Sequence, residues 1–358
     1  MRVRRWLLLA AIAAVQFVIF ETALRTWGHS EAAPAFQSLF VPDPAIGYRL
    51  RPGAHVRFTT AEFDTRIVVN EQGVRDDEPI GPKPPNERRI VVLGDSLVLA
   101  VQVDQQQTFC RLLEERLNRH GGPIRYRVIN AGVQGYGPVE ELLFFRHVAR
   151  AFQPDLVITT VFVGNDIEEA LGSAPRLRER PLTEVISEST VTRLRRIVRR
   201  SMVLQILRLR VVAITSRFSW GGAPPEPPLQ SYAEHPAPRI AEGLRIARDC
   251  IEAIADDAAG VGARTMVMLM PARFQVNDED YGHLKKAVEG AGGRLVRDAA
   301  TARFDLALTA LPLPRFDALP GLRAAGPDVF FLQTVHLTPR GHEVVAAELE
   351  AFIRQQGL

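Results

Sequence analysis

The sequence predicts an α/β domain in which a parallel sheet is covered by helices on both faces. Short, wholly apolar runs, such as residues 90–93 and 266–270, alternate with longer amphipathic stretches. Strands buried on both faces have continuous apolar runs of this kind, and amphipathic stretches supply the covering helices. Because 46% of the 358 residues are hydrophobic and 24% are charged, the chain can bury a full core, which excludes a wholly disordered protein.

Residues 1–25 form a separate segment. A cationic start, residues 1–5, precedes an apolar run over residues 6–20. This run is typical of a signal peptide and short for a membrane span, which needs about 20 residues. A poor cleavage signal after it, and extension of the helix to Leu24, favour a retained anchor with residues 6–25 in the membrane. Cleavage of the segment is the alternative.

The arginines before the apolar run predict the orientation of this anchor. By the positive-inside rule they stay in the cytosol and the rest of the chain is exported. We therefore expect a single-pass protein of the inner (cytoplasmic) membrane whose catalytic domain lies on the periplasmic side. The alternative is a secreted or periplasmic protein released by signal cleavage.

Residues 26–85 form an N-terminal extension that is rich in proline and glycine. Its short alternating runs, such as residues 66–70, predict a few strands and loops packed onto the main domain. We assign no chemistry to this extension. The main domain is predicted over residues 86–358.

Five apolar runs are the candidate strands of the main domain. They cover residues 90–93, 128–129, 156–163, 266–270 and 329–332. Helical periodicity fills the gaps, with apolar positions that include Leu113, Phe145, Leu244 and Leu349.

An insertion at about residues 172–236 separates the third and fourth predicted strands. It begins with many arginines interleaved with apolar residues and ends in a proline-rich stretch. This pattern fits a helix packed on the domain with a solvated charged face, and binding to anionic lipid is the alternative. A nucleic-acid partner is not expected, because the net charge is only +3 and the insertion lacks interleaved aromatic residues.

The two cysteines, Cys110 and Cys250, both lie in helical patterns. We expect two buried, small apolar residues. An exported chain could also oxidise them, although the sequence does not place them within bonding reach. Cys-x-x-Cys and His-Glu-x-x-His motifs are absent from the sequence, so we predict no metal site.

Ser96 directly follows the first predicted strand, in the Gly-Asp-Ser-Leu segment of residues 94–97. A parallel sheet presents functional groups at the carboxyl ends of its strands, which is where a nucleophile belongs. A serine hydroxyl needs a base within about 2.6–3.2 Å, and His336 is the candidate base. Taken alone, Gly-Asp-Ser after a strand is more often a turn or a helix cap.

Acyl transfer also requires hydrogen-bond donors aimed at the oxygen that becomes negative in the tetrahedral intermediate. The glycine-rich residues 130–137, which include Gly135, follow the second predicted strand, and Asn165 follows the third. The structural alternative is that the glycines only form a loop and Asn165 a turn. Their occurrence at successive strand ends favours one shared site.

With these motifs the chain, over about residues 88–352, resembles the SGNH hydrolases, also called the GDSL esterase and lipase family. Its beginning resembles that of membrane-anchored bacterial members. The resemblance implies a three-layer α/β/α, flavodoxin-like fold with Ser96 as nucleophile and His336 as base. It also implies an oxyanion hole formed by the N–H groups of Ser96 and Gly135 and the amide of Asn165. It implies no cofactor and no metal.

The chain departs from the family pattern before the histidine. The family usually has an aspartate two or three residues earlier, which orients the imidazole, whereas this chain has Thr334 and Gln333. Gln333 could accept a hydrogen bond from the ring, and Asp328 is a candidate substitute that equally fits a solvated loop residue. Loss of the orienting acid slows a triad enzyme by up to about 10⁴-fold, so we expect a slower Ser–His dyad.

Three polar residues near these motifs have structural roles in our interpretation. His342 lies where the last helix begins, and Asp95 and Asp166 adjoin the predicted nucleophile and amide. We expect the two aspartates to fix loops through hydrogen bonds to backbone N–H groups.

The sequence therefore predicts an exported serine esterase that cleaves an ester-linked acyl group through an acyl-serine intermediate. Its substrate partner would be a small-molecule, glycan or lipid ester, for example one that carries an O-acetyl group. Two alternatives stay open: an O-acyltransferase acting on a cell-envelope polysaccharide, and a catalytically inactive binding protein of the envelope.

Overall fold

The computed structural model describes Gln16 and residues 38–119, 121–177 and 229–357. Apart from Gln16, these residues belong to one compact unit. Apart from Gln16, the predicted anchor lies outside the described residues, as does most of the predicted insertion, including all of its arginines except Arg176. Within the described residues, no helix has the length and apolar character needed to cross a membrane.

The N-terminal extension forms two antiparallel hairpins, as its alternating runs predicted. Strand β1 (Phe40–Asp43) pairs with β2 (Gly47–Leu50), and β3 (His55–Thr59) pairs with β4 (Asp64–Val68). On the inner face of the second hairpin, Phe58 and Ile67 are buried, so the hairpin packs on the domain rather than projecting from it.

A five-stranded parallel sheet forms the centre of the domain. Its strands are β5 (Glu87–Gly94), β6 (Arg125–Gly132), β7 (Leu156–Phe162), β8 (Arg264–Met270) and β9 (Arg315–Asp317). Their spatial order is β6-β5-β7-β8-β9, and every neighbouring pair is parallel. This is the flavodoxin-like order, so the predicted α/β fold class is confirmed.

Helices fill the connections between the strands. They are α1 (Ser96–Leu99), α2 (Phe109–Asn118), α3 (Pro138–His147), α4 (Asp166–Ser173), α5 (Pro238–Ala259), α6 (Arg273–Val276), α7 (Asp278–Gly290), α8 (Ala299–Leu308), α9 (Leu319–Ala325) and α10 (Pro339–Gln355). Helix α2 packs on α10, and α10 on α9, whereas α5 packs on α3, α4 and α8. Crossover connections between parallel strands are right-handed. Crossovers that run in opposite directions along a sheet therefore place their helices on opposite faces. These two groups are the outer layers of a three-layer domain.

One predicted strand is wrong. Residues 329–332 do not join the sheet: Val329 ends a 3₁₀ turn, Phe330 forms an isolated bridge with Leu337, and Leu332 is 84% exposed. The fifth strand is instead β9, which has three residues and one buried side chain. A strand this short leaves no apolar run in the sequence, so periodicity could not reveal it.

Cys110 and Cys250 are both buried and unbonded, which confirms the prediction of two small core residues. Each lies on the inner side of its helix, α2 or α5, with neighbours of the core such as Leu113 and Ile251.

Candidate active site

The chain changes direction across the sheet between β5 and β7, two strands that lie side by side. From β5 the chain crosses to β6 on one side, and from β7 it crosses to β8 on the other. In open parallel sheets such a switch point leaves a crevice outside the carboxyl ends of the strands, where ligands bind. Ser96 follows β5 and Asn165 follows β7, so the candidate nucleophile and amide flank this crevice.

Ser96 is the first residue of α1 and is only 8% exposed. The preceding residue, Asp95, caps this helix, because its Oδ1 accepts a hydrogen bond of 2.8 Å from the N–H of Leu97. This contact confirms the structural role predicted for Asp95. A Cβ atom at Gly94 would lie 2.3 Å from Cγ2 of Val98, so glycine is what lets the end of β5 approach α1 so closely.

Gly135 lies in the turn after β6. The N–H of Val133 donates a hydrogen bond of 3.0 Å to the carbonyl of Gly94, which ties this turn to the end of β5. Gly135 has a φ of +70°, a left-handed conformation that favours glycine. None of the described residues accepts a hydrogen bond from its N–H. The hydroxyl of Tyr48, in β2, donates to the carbonyl of Gln134 at 2.7 Å and so supports the turn from outside.

Asn165 closes the turn after β7, where its N–H donates to the carbonyl of Phe162 at 3.3 Å. Its side-chain amide donates a hydrogen bond of 2.7 Å to Oε1 of Glu169. An amide nitrogen carries two N–H groups, so one is held by Glu169 and the second is left for a ligand. Asp166 accepts a hydrogen bond of 2.8 Å from the N–H of Phe162, which confirms the loop-fixing role predicted for it.

His336 lies in a loop that leads into α10. The bridge between Phe330 and Leu337 closes this loop, and we call residues 330–337 the histidine loop. Both ring nitrogens of His336 are buried, with no hydrogen-bond partner among the described residues. Burial lowers the pKa of His336 to about 4, because the charged form loses its hydration. The imidazole is therefore neutral at physiological pH, as a general base must be.

Buried polar residues attach α10 to α2 and hold the end of α1. His342, in α10, stacks on Phe109 with ring centroids 5.8 Å apart and accepts a hydrogen bond of 3.2 Å from its N–H. The guanidinium of Arg75 donates a hydrogen bond of 2.6 Å to the carbonyl of Leu99, the last residue of α1. Burial, then the charges of Arg75 and His336, lower the pKa of His342 to about 3, so these groups are electrostatic neighbours. The structural role predicted for His342 agrees with these contacts.

The two candidate orienting residues make no hydrogen bond to the imidazole. Asp328 is paired with Arg340 at the surface, and the side chain of Gln333 is exposed. The backbone N–H of Gln333 instead donates to the carboxylate of Glu62, 3.1 Å from each oxygen. Within the described part of the chain, His336 has no orienting acid.

Four largely buried carboxyl groups with raised pKa values lie around the strand ends, a feature that we did not predict from the sequence. They belong to Asp95, Glu141, Asp166 and Glu169. Burial raises the pKa of Asp95 to about 6 and that of Glu141 and Glu169 to about 8, and the charge of Asp95 contributes to the two glutamate shifts. Burial also raises the pKa of Asp166 well above its ordinary value. Both glutamates are therefore mostly protonated at pH 7, so the crevice is less negative than its composition suggests.

Part of this cluster had a signal in the sequence. Every residue of α3 from 138 to 145 is buried, and apolar side chains continue from Leu142 without interruption to Phe145. A helix that is apolar on all sides is a core helix, so Glu140 and Glu141 within it had to be buried as well. Glu169 lies one helical turn after Asn165, and no pattern in the sequence indicated that its side chain would be buried.

Comparisons with known proteins found only distant structural likenesses. No protein-family model matches the chain, and no curated protein matches it. Among solved structures, TesA is 14% identical over 75% of this chain and 99% of its own, with a TM-score of 0.42. The psychrotrophic esterase EstA from Pseudoalteromonas sp. is 12% identical over 75% and 98% of the two chains, with a TM-score of 0.40. The acetyl xylan esterase AlAXEase is 14% identical over 74% and 98%, with a TM-score of 0.39.

Proposed function

We propose that this protein is a serine esterase of the SGNH hydrolase type, with Ser96 as nucleophile and His336 as general base. One observation carries the proposal: a serine, a left-handed glycine turn and an asparagine amide follow three adjacent strands around the switch point of a parallel sheet. A hydrolytic site requires a nucleophile and oxyanion donors at one place, and a structural role would not require all three there.

In the proposed reaction, a ring nitrogen of His336 takes the proton from Oγ of Ser96 as this oxygen attacks the carbonyl carbon of the ester. The N–H groups of Ser96 and Gly135 and the free amide N–H of Asn165 stabilise the negative oxygen of the tetrahedral intermediate. The intermediate collapses, the bond to the alcohol oxygen breaks, and the imidazolium returns its proton to the leaving alcohol. Water, deprotonated by His336, then attacks the carbonyl carbon of the acyl-serine. The bond to Oγ of Ser96 breaks, the acid leaves, and the imidazolium returns its proton to Oγ.

The buried histidine supports the base role and also predicts its weakness. A pKa of about 4 keeps the ring unprotonated and ready for the first proton transfer. The same burial disfavours the imidazolium that this transfer creates, and no described acid stabilises it. We therefore expect turnover that is slow relative to a complete Ser–His–Asp triad, by up to about 10⁴-fold.

We further propose that the enzyme is exported and tethered to the inner membrane by residues 6–25, with the domain in the periplasm. The apolar run and its flanking arginines support this location, with release by signal cleavage as the alternative. In that compartment the substrate class would be an ester of an envelope glycan or lipid. Esters of O-acetyl groups are the first substrates to test.

The test is hydrolysis of short-chain aryl esters by the full-length protein and by its Ser96→Ala variant. We expect measurable release of the alcohol by the wild type and none above background by the variant, with the thermal melting of the two proteins alike. Equal rates in both proteins would contradict the proposal. A glycan acceptor added to the reaction separates the two enzyme classes, because a transferase yields acylated glycan while a hydrolase yields free acid.

A second candidate is favoured by one observation, the absence of a described hydrogen-bond partner for His336. A protein that has lost the orienting acid could keep the crevice as a binding site for envelope glycan without catalysis. Binding of an acetylated glycan that is identical in wild type and Ser96→Ala, together with no ester turnover in either, would support this candidate.

A further inference from the structure

The hairpin formed by β3 and β4 is attached to the segment that follows the candidate nucleophile. We call residues 55–68 the extension hairpin. The hydroxyl of Thr65 donates a hydrogen bond of 2.6 Å to the carbonyl of Val101, and the N–H of Arg66 donates one of 3.2 Å to Oδ1 of Asp104. Both acceptors lie within five residues of the end of α1, so strand β4 of the hairpin is tied to the serine side of the crevice.

The turn of the same hairpin holds the histidine loop. The carboxylate of Glu62 accepts hydrogen bonds from the N–H of Leu332, at 2.8 Å, and from the N–H of Gln333, at 3.1 Å. Next to it, the ring of Phe63 packs on that of Phe331, with centroids 5.7 Å apart. A hydrogen bond to a charged acceptor is worth roughly twice a neutral one, so the two hydrogen bonds to Glu62 hold the histidine loop firmly.

The turn that presents Glu62 is fixed by its own hydrogen bonds. The N–H of Thr60 donates to the carbonyl of Phe63 at 2.8 Å, which closes the turn. The hydroxyl oxygen of Thr60 accepts hydrogen bonds from the N–H groups of Glu62, at 3.2 Å, and Phe63, at 3.1 Å. Glu62 is therefore held in place before it meets the histidine loop, and little conformational entropy is lost in the contact.

The carbonyl groups of the histidine loop are held from a different element. The guanidinium of Arg273, in α6, donates hydrogen bonds to the carbonyl oxygens of Phe331 at 3.0 Å, of Thr334 at 3.2 Å, and of Leu332. Asp280 fixes this guanidinium through a contact of 2.6 Å to its Nε. The loop is thus bound by an anion at its N–H groups and by a cation at its carbonyl groups.

From these contacts we propose that Glu62 and Arg273 are positioning residues for His336. They hold the backbone of the histidine loop, and the extension hairpin sets the separation between the imidazole and the Ser96 hydroxyl because it binds both sides of the crevice. An acid would orient the ring directly, through a hydrogen bond. In this chain the contacts of Glu62 and Arg273 hold the backbone of the histidine loop and so orient the ring indirectly. The proposal rests on the proposed function, in which His336 is the base.

Glu62→Ala tests the proposal, with Glu62→Gln as the conservative variant and Glu71→Ala as the matched control. Glu71 is an exposed glutamate of the same extension. Because a displacement of about 1 Å can cost 100-fold in rate, we expect kcat of Glu62→Ala for an aryl ester to fall by about 10- to 100-fold with KM nearly unchanged. Both N–H groups donate to Oε1 of Glu62, and the side-chain oxygen of glutamine can still accept these hydrogen bonds. Glu62→Gln should therefore recover most of the loss, and Glu71→Ala should match the wild type. A kcat for Glu62→Ala within about twofold of the wild type, or an equal loss in Glu71→Ala, would overturn the proposal.

A second readout does not depend on catalysis. Diethyl pyrocarbonate acylates exposed neutral imidazoles, and mass spectrometry of the modified full-length protein locates the adducts. We expect slow modification of His336 in the wild type and in Glu71→Ala, and a rate at least about tenfold higher in Glu62→Ala, because the released loop exposes the ring. If the wild type shows no ester turnover, the proposed function fails. The rate at which His336 is modified then tests by itself whether Glu62 holds the histidine loop. An unchanged rate would overturn it.

Should Glu62→Ala fail to fold, Arg273→Lys takes its place in both measurements. Lysine keeps the charge but is a point donor on a flexible stem, and it cannot reproduce the planar set of contacts that Arg273 makes with the loop carbonyls. We expect the same loss of kcat and the same faster modification of His336. A folded Arg273→Lys protein with both quantities unchanged would contradict the proposal.

Discussion

The side-chain amide of Asn165 donates a hydrogen bond of 2.7 Å to Oε1 of Glu169, one helical turn further along α4. The other carboxyl oxygen of Glu169 is buried and has no hydrogen-bond partner among the described residues. Burial is the main reason that the pKa of Glu169 rises to about 8. At neutral pH this carboxyl is mostly protonated, so the group that orients the candidate oxyanion donor adds little negative charge beside it.

Glu169→Gln should widen the alkaline range of activity. In the wild type, Glu169 ionises near pH 8, and its negative charge then opposes the negative oxygen of the tetrahedral intermediate. Glutamine still accepts the hydrogen bond from Asn165 and never ionises. We expect kcat/KM of the wild type to fall between pH 7.5 and about 9 and that of the variant to stay level, measured with an aryl ester at constant ionic strength. Parallel profiles would contradict this reading of Glu169.

The same substitution has an expected effect on stability. The pKa of Glu169 is raised from its ordinary 4.5 to about 8 in the folded protein, so between these pH values the folded state binds more protons than the unfolded state. Stability conferred by the wild-type residue therefore falls as the pH rises through this window. The melting temperature of Glu169→Gln minus that of the wild type should increase from pH 5 to pH 8. Glu252→Gln, which changes an exposed residue of α5, should show no such trend.

Asn165→Ala should lower kcat by about 10²- to 10³-fold, because it removes one donor to the oxyanion. The backbone N–H of Asn165 still closes the turn after β7, so the fold should persist and circular dichroism should be unchanged. Steady-state kinetics with one aryl ester checks the expectation. A folded variant with wild-type kcat would remove Asn165 from the oxyanion hole.

On acidification, activity should fall only at a pH well below the pKa of an ordinary histidine. With a pKa of about 4, His336 stays unprotonated down to mildly acidic pH, so it should not limit kcat/KM at pH 6.5. Asp95, whose pKa is about 6, also adjoins the serine, and Asp95→Asn removes its titration while keeping a side chain that can cap α1. We expect Asp95→Asn to retain activity down to about pH 5. An inflection near pH 6.5 in that variant would show that His336 titrates as a solvated residue.

Apolar substituents on the substrate should contact the outer side of the histidine loop. Leu332 is 84% exposed and Val335 is 48% exposed, four residues and one residue before His336. Burial of one such side chain against a ligand is worth about 1.5 kcal/mol, or about tenfold in kcat/KM. We expect Leu332→Ser to lower kcat/KM for a hexanoyl ester by about this factor and for an acetyl ester much less. Leu306→Ser, at an equally exposed leucine of α8, should change neither, and an identical chain-length profile in all three proteins would refute the contact.

The sequence was most informative where function and fold use local patterns. Apolar runs predicted four of the five strands of the sheet, and the turn residues after three of them predicted Ser96, Gly135 and Asn165 as candidates for one site. The short strand β9 has a single buried residue, Phe316, and gave no periodic signal.

Contacts between distant parts of the chain had no such signal. Glu62 and Gln333 are separated by 271 positions, and each sits in a segment that looks like an ordinary polar loop. The N-terminal extension was therefore predicted to carry no chemistry, although Tyr48 supports the Gly135 turn and Glu62 binds the histidine loop. Burial of Glu169 likewise depends on which helices pack together, which local periodicity does not determine.

The most direct test of the Ser–His assignment is covalent labelling of the full-length protein with a fluorophosphonate, with the adduct located by mass spectrometry. A fluorophosphonate reacts with a serine that a neighbouring base has activated, and it needs no knowledge of the natural ester. We predict one adduct, on Ser96, whose formation is at least about 100-fold slower in a folded His336→Ala variant. An unlabelled Ser96 in folded wild-type protein, or labelling that His336→Ala leaves unchanged, would contradict it.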